Sequence, residues 1–252
     1  FGRGLPRALA LTGVPVASVA VLEGYGVLTG IAGQEQRARA LDVFERMYSP
    51  AIGTGATMDY LGRTGLDALK GADILKTAAD SYSSTVEYAA TTIAQSLRGM
   101  AQVILKGLGT RVLYTSQGGY DTHANQVPVQ TPLLSDLSAG IGDFFTDLRE
   151  HDAADNVMML VFTEFGRRVK DNGSGSDHGS GGASYLIGQP VNGGMLGEYP
   201  SLKEEDQLDG DLHFNVDFRS VYSTIVDRWM GLDAKSAIGG NYELLDFVRS
   251  SN

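Results

Sequence analysis

Apolar residues recur every three or four positions along four stretches of the chain, with polar residues between them. These stretches are residues 34–48, 83–108, 132–151 and 218–230. A period near 3.6 gives a helix one apolar face and one polar face. The pattern therefore predicts four amphipathic helices, each with one buried face.

Short apolar runs lie before and between these helices, at residues 14–22, 111–115, 157–162 and 184–187. The run VMMLVF at 157–162 is apolar without interruption, which is typical of a strand buried on both faces in a parallel sheet. Strands that alternate with helices predict an α/β fold, here a doubly wound, mostly parallel sheet with helices on both faces. In such sheets ligands bind at the carboxyl ends of the strands.

The chain has 252 residues, which is long enough to bury one substantial core. We therefore expect residues 1–252 to form a single α/β domain. The sequence begins at Phe1 rather than at a methionine, so we also expect this domain to lack an N-terminal portion.

Charge and cysteine content exclude several classes of function. The net charge is -10 and the sequence pI is about 4.8, which excludes a nucleic-acid partner because no basic face could neutralise phosphates. An anionic small molecule stays compatible, since bound cations can reverse the local field. The chain has no cysteine, which excludes disulfides, zinc–thiolate sites and cysteine nucleophiles. No apolar run approaches the roughly 20 residues of a membrane span, so no transmembrane segment is predicted.

Two of the four histidines lie beside an aspartate in a glycine-rich turn. The first pair is Asp121 and His123, shortly after the run at 111–115. If strand geometry continues that far, these two side chains point to the same side and could bind one ion. Carboxylate with imidazole suits zinc, manganese or iron. The alternative is a turn aspartate and a histidine bonded to the backbone.

The second pair, Asp177 and His178, lies in the loop NGSGSDHGSGG. Adjacent side chains in an extended segment point apart, which would suit two ions about 3.5–4 Å apart. A solvated glycine–serine loop is the simpler alternative. A calcium loop is another, with Asp171 and Asn172 as further oxygen ligands, but Gly182 stands where an EF-hand would have its glutamate.

Other polar residues are candidates for supporting roles. Glu164 could bind an ion or hydrogen-bond a ligand, and Arg167 could hold an anionic substrate oxygen and stabilise its developing charge. For Arg168 a surface ion pair is an equal alternative. His213 could complete a metal site, although a lone histidine is more often structural. His151 ends a predicted helix, where a cation complements the helix dipole.

The segments GGYDTHANQ, TEFGRRVKDNGSGSDHG and DFRSVYSTIVDRWMG together resemble an uncharacterised bacterial family, domain of unknown function 1501, which is grouped with the alkaline phosphatase and sulfatase superfamily. The resemblance covers residues 83–232. It implies an alkaline phosphatase-like doubly wound fold and export by the twin-arginine route, hence a periplasmic or secreted protein.

Phosphatases and sulfatases of that superfamily hold two metals on Asp and His motifs. The resemblance assigns Asp121 and His123 to the first motif, with a narrower gap than usual, and Asp177 and His178 to the second. His213 lies where a final histidine ligand often stands. The cofactor implied is a divalent metal, zinc first, with manganese, iron or calcium as alternatives.

The superfamily's first metal aspartate and its Ser or Thr nucleophile have no counterpart before Ser83; Thr29, Thr54 and Thr57 qualify by residue type only. Two functions follow. The first is a metal-dependent hydrolase that acts on a small-molecule anionic ester, a phosphate or a sulfate. The second is a catalytically silent secreted binding or structural protein on the same fold.

Overall fold

The computed structural model describes residue 1 and residues 16–20, 22, 34–62, 65, 75, 78 and 81–249. Thr29 and parts of the predicted strand at 14–22 lie outside the described residues, and residues 16–20 and 22 form no strand. The chain divides into two compact units, Phe1–Gln117 with Asp136–His151, and Gly118–Ser135 with Asp152–Asn252. The single domain stays a prediction. Among the described residues, no helix combines the length and the apolar character that crossing a membrane requires.

The helices of the first unit lie where the periodicity predicts them, but the predicted buried face of the first helix is wrong in part, since Val43 and Met47 are 54% and 69% exposed. Helix α1 spans Gln34–Tyr48, as predicted, and α2 spans Thr92–Leu105 rather than 83–108. The start of α2 is fixed by Thr91, whose side chain accepts a hydrogen bond from the Ala94 amide. The segment before Thr91 is held outside the helix, because the Thr85 amide donates to the Glu150 carboxylate at 3.1 Å.

Helix α3 spans Gln126–Glu150 and begins before the predicted start at Pro132. Its first residues belong to the second unit and its residues from Asp136 onward to the first. In the first unit the core is apolar, and Gly140 of α3 lies close to α2, since a Cβ there would be 3.3 Å from Leu97 Cδ1. The buried apolar residues of α2 and α3 include Ile93, Leu97, Met100, Val103, Phe144, Phe145 and Leu148.

The second unit contains two small antiparallel sheets. Strand β1, Met159–Val161, pairs with β4, Tyr185–Ile187, and β2, Gly166–Asp171, pairs with β3, Ser176–Gly179. Helix α4 spans Phe218–Thr224 and continues as one π-helical turn over Ile225–Trp229, and α5 spans Ala234–Ile238. Buried Phe247 and Thr224 lie in the core of this unit.

The strands differ from the sequence predictions. The run at 157–162 is half-buried and antiparallel instead of buried in a parallel sheet, and Phe162 is exposed. Residues 111–115 form no strand. Every strand pair in the described part of the chain is antiparallel, so the doubly wound parallel sheet stays a prediction.

Candidate functional site

Three of the five predicted metal ligands lie together in the second unit. Asp121 Oδ1 is 2.7 Å from His178 Nε2 and 3.4 Å from His123 Nδ1. The two imidazole rings are 4.8 Å apart between centroids. The hydrogen bond from His178, followed by electrostatic interactions with His178, His123 and Arg167, lowers the pKa of Asp121. We name these three residues the Asp–His–His group.

The donor atoms of the Asp–His–His group fit a small divalent ion. All three potential ligand atoms lie within 4.8 Å of one another. Around a tetrahedral zinc with ligand bonds of about 2.0–2.2 Å, neighbouring ligand atoms are roughly 3.3–3.6 Å apart. The 3.4 Å between Asp121 Oδ1 and His123 Nδ1 lies in this range. The 2.7 Å between Asp121 Oδ1 and His178 Nε2 is a hydrogen bond, so His178 Nε2 must release its proton and the two atoms must move apart before both bind one ion. Two imidazoles favour zinc, manganese or iron over calcium, which prefers oxygen ligands.

Polar side chains fix the backbone that carries Asp121 and His123. Gln130 Nε2 donates to the Tyr120 carbonyl at 3.1 Å and to Thr122 Oγ1 at 2.8 Å. Asn172 Nδ2 donates to the His123 carbonyl at 3.0 Å. Because these contacts fix both sides of Asp121, the carboxylate is directed towards His178 by its own backbone.

The β2–β3 hairpin holds His178. Arg167 of β2 stands opposite His178 of β3 in the strand register, and the Phe165 ring stacks on the His178 imidazole with centroids 4.1 Å apart. Gly166 and Gly181 allow the two segments to approach, since a Cβ on Gly166 would overlap the Gly181 backbone.

Arg167 makes two backbone contacts. Its Nη1 donates to the Ser176 carbonyl and its Nη2 to the Tyr120 carbonyl, both at 2.6 Å. The guanidinium also lies 5.1 Å from the centroid of the Phe165 ring. The predicted catalytic role of Arg167 stays a prediction, and these bonds give it a second role beside the Asp–His–His group.

The other predicted ligands lie outside the Asp–His–His group. Asp177 is exposed, and its Oδ1 accepts from Asn172 Nδ2 at 3.0 Å. His213 and Glu164 are exposed as well. Among the described residues, neither Asp177 nor His213 joins the Asp–His–His group. Their roles as metal ligands therefore stay predictions.

A second cluster of carboxylates and a histidine lies in the first unit, formed by Asp147, Glu150 and His151. Asp147 is fully buried, and its Oδ2 accepts from the hydroxyls of Tyr82 at 2.6 Å and Tyr88 at 2.8 Å. Burial, followed by the bond to Asp147, raises the pKa of Tyr82 to about 12. His151 Nδ1 is 2.8 Å from the Asp147 carbonyl, which agrees with the predicted capping of the helix end.

Phe165 and Gly175 were not predicted as parts of the site, and Asn172 was predicted only as an oxygen ligand of the alternative calcium loop. Phe165 and Asn172 contact the Asp–His–His group directly. At Gly175 a Cβ would lie 2.9 Å from the His123 carbonyl oxygen, so only glycine fits there. A signal for Gly175 was present in the glycine-rich loop, but nothing in the sequence showed that it faces His123 rather than an ion.

A family model described as Protein of unknown function (DUF1501) matches residues 54–241 of the chain. This range includes all residues of the Asp–His–His group. No match was found among curated proteins or among solved structures.

Proposed function

The chain belongs to the family described as Protein of unknown function (DUF1501), and we propose that it is a metal-dependent hydrolase of phosphate or sulfate esters. The observation that supports this proposal is the convergence of Asp121, His123 and His178 around one point. Membership of the alkaline phosphatase and sulfatase superfamily, and export to the periplasm or beyond, are parts of the same proposal and rest on the motif resemblance.

The exposure of the Asp–His–His group favours a catalytic metal over a structural one. The side chains of Asp121, His123 and His178 are 65%, 51% and 44% exposed. Structural zinc sites are closed by four protein ligands, whereas catalytic sites use three and leave a position open. Three protein ligands that face solvent leave room for an ester oxygen.

Each residue then has a defined task. Asp121, His123 and His178 would hold the ion, and Phe165 would keep the His178 ring in place. When bound, a divalent metal polarises an ester oxygen and lowers the pKa of water. The substrate would be a small anionic ester, whose charge the ion and the nearby Arg167 offset within a protein of net charge -10.

The first test is metal content. We expect the protein purified without chelator, or reconstituted with zinc or manganese, to bind about one equivalent by plasma mass spectrometry. Asp121→Ala combined with His178→Ala should lose it. His213→Ala, which removes an exposed histidine outside the group, tests the remaining histidine ligand prediction: it keeps the metal if the Asp–His–His group alone forms the site. A folded parent that stays metal-free after reconstitution would contradict the proposal.

The second step separates the hydrolase from the alternative function, a catalytically silent secreted binding or structural protein on the same fold. Phosphate and sulfate monoesters are offered to the metal-loaded parent and to the double variant. Hydrolysis by the parent alone supports the enzyme. Metal binding without turnover of either ester class supports the binding or structural protein instead.

A further inference from the structure

Arg167 lies between the two segments that carry the Asp–His–His group. On the proposed function, we infer that Arg167 is a positioning residue that sets the distance between Asp121 and His178 by bonding to both segments at once. Its Nη2 bonds to the carbonyl of Tyr120, the residue before Asp121. Its Nη1 bonds to the carbonyl of Ser176, two residues before His178.

The shape of the guanidinium makes this bridge stiff. The group is planar, and its terminal N–H donors leave at fixed angles. Two bonds of 2.6 Å to carbonyls on different segments therefore fix the separation of those segments. A lysine ammonium carries the same charge on a compact head, and it could bond to one carbonyl while releasing the other.

The same arginine also acts on the orientation of the His178 ring. Phe165 stacks on His178 at an interplanar angle of 16°, and the Arg167 guanidinium contacts the same Phe165 ring. Arg167 is half-buried, and two of its five N–H donors already bond to the backbone, so a substrate oxygen could be bound only by the three donors that the bridge leaves.

Two measurements on Arg167→Met, Arg167→Lys and a control test this inference. The first is hydrogen exchange of the metal-free protein, followed in peptides that cover residues 118–125 and 174–180. The second is zinc affinity by competition titration. The control is Arg168→Met, whose side chain bonds to the Asp209 carbonyl and approaches Asp211 rather than Tyr120 or Ser176. Because Asp211 accepts from the Ser180 amide, the comparison with this control leaves out the exchange of Ser180.

We expect Arg167→Met to exchange faster in both peptides and to bind zinc about 10- to 100-fold more weakly, as for other residues that orient metal ligands. Arg167→Lys should keep the protection against exchange in one peptide and lose it in the other, and its zinc affinity should lie between those of the parent and Arg167→Met. Arg168→Met should match the parent in both peptides. Circular dichroism tests whether each variant is folded. If Arg167→Met does not fold, Arg167→Lys alone decides whether Arg167 bridges the two segments.

If either peptide of Arg167→Met exchanged its amide hydrogens at the same rate as in the parent, the inference that Arg167 bridges the two segments would be wrong. Unchanged zinc affinity would also overturn it and return Arg167 to a substrate-binding role, in which KM alone would rise. A parent that binds no zinc refutes the proposed function instead, while the exchange of the metal-free protein still decides whether Arg167 joins the two segments.

Discussion

The protons on individual histidine nitrogens distinguish the two carboxylate–histidine clusters. His151 Nδ1 is 2.8 Å from the Asp147 carbonyl, and His151 Nε2 is 2.9 Å from the Ser83 carbonyl. A carbonyl only accepts hydrogen bonds, so this arrangement suits a ring that is protonated on both nitrogens, and such a ring has no nitrogen free for a metal. Oδ1 of buried Asp147 also lies 3.2 Å from His151 Nδ1. In the Asp–His–His group, by contrast, one histidine nitrogen is bonded to a carboxylate, His178 Nε2 to Asp121. The bond to the Asp147 carbonyl, followed by that to Ser83, raises the pKa of His151.

This raised pKa predicts a pH-dependent stability. A histidine whose pKa is higher in the folded state stabilises fully below its unfolded pKa of about 6.5, and that contribution is lost as pH rises through the folded-state pKa. We expect the parent to have a higher melting temperature than His151→Gln. This difference in melting temperature should be largest at about pH 5 and should shrink towards about pH 9. His213→Gln controls for the loss of an exposed imidazole. A difference that stays constant or grows with pH would mean that His151 folds as the neutral ring.

At the scale of elements, the loop between β2 and β3 must approach the His123 backbone closely. A Cβ on Gly175 would lie 2.9 Å from the His123 carbonyl oxygen and 3.0 Å from its carbon. Gly175→Ala should therefore displace His123, reduce stability by about 1–3 kcal/mol as overpacking does, and weaken metal binding. Gly182→Ala is the control, since its Cβ would meet only ordinary contacts at 3.6 Å and beyond. Denaturant unfolding and zinc titration of both variants test this prediction. Equal unfolding free energies and zinc affinities would show that the loop can move to accept a Cβ at Gly175.

The sequence predicted helices better than strands because helical periodicity is local. Helix α1 was predicted with its ends, whereas α2 was predicted too long, since its start depends on the Thr91 cap and on Glu150, distant in sequence. Strand pairing is non-local, and the run at 157–162 has the same apolar pattern in either kind of sheet. Asp121, His123 and His178 were predicted because aspartate and histidine in glycine-rich turns are rare and chemically specific. Phe165 was not predicted, and Asn172 was predicted only as a calcium ligand, since the contacts that these two residues make with His178 and His123 arise only on folding.

On the scale of the whole molecule, the two carboxylate–histidine clusters lie in different compact units, and they differ in that both ring nitrogens of His151 contact backbone carbonyls. The Asp–His–His group belongs to Gly118–Ser135 with Asp152–Asn252, and the Asp147–His151 pair belongs to Phe1–Gln117 with Asp136–His151. The proposed metal binding at the Asp–His–His group and the buried contacts of Asp147 can therefore be tested by separate substitutions. The net charge of -10 attracts cations to both units, so affinity alone does not identify the site.

Thermal unfolding of variants in each cluster identifies the site at which the ion binds. An ion that binds only the folded protein adds about 2.7 kcal/mol at a concentration 100 times its Kd, or roughly 5–10 °C in Tm for a chain of this size. We expect this increase in the parent and its absence in Asp121→Ala. Asp147→Asn, which removes the carboxylate beside His151, should lower the Tm and yet keep the full increase with zinc. If Asp147→Asn lost the increase while Asp121→Ala kept it, the ion would bind at the buried cluster, and the protonation inferred for His151 would be wrong with it.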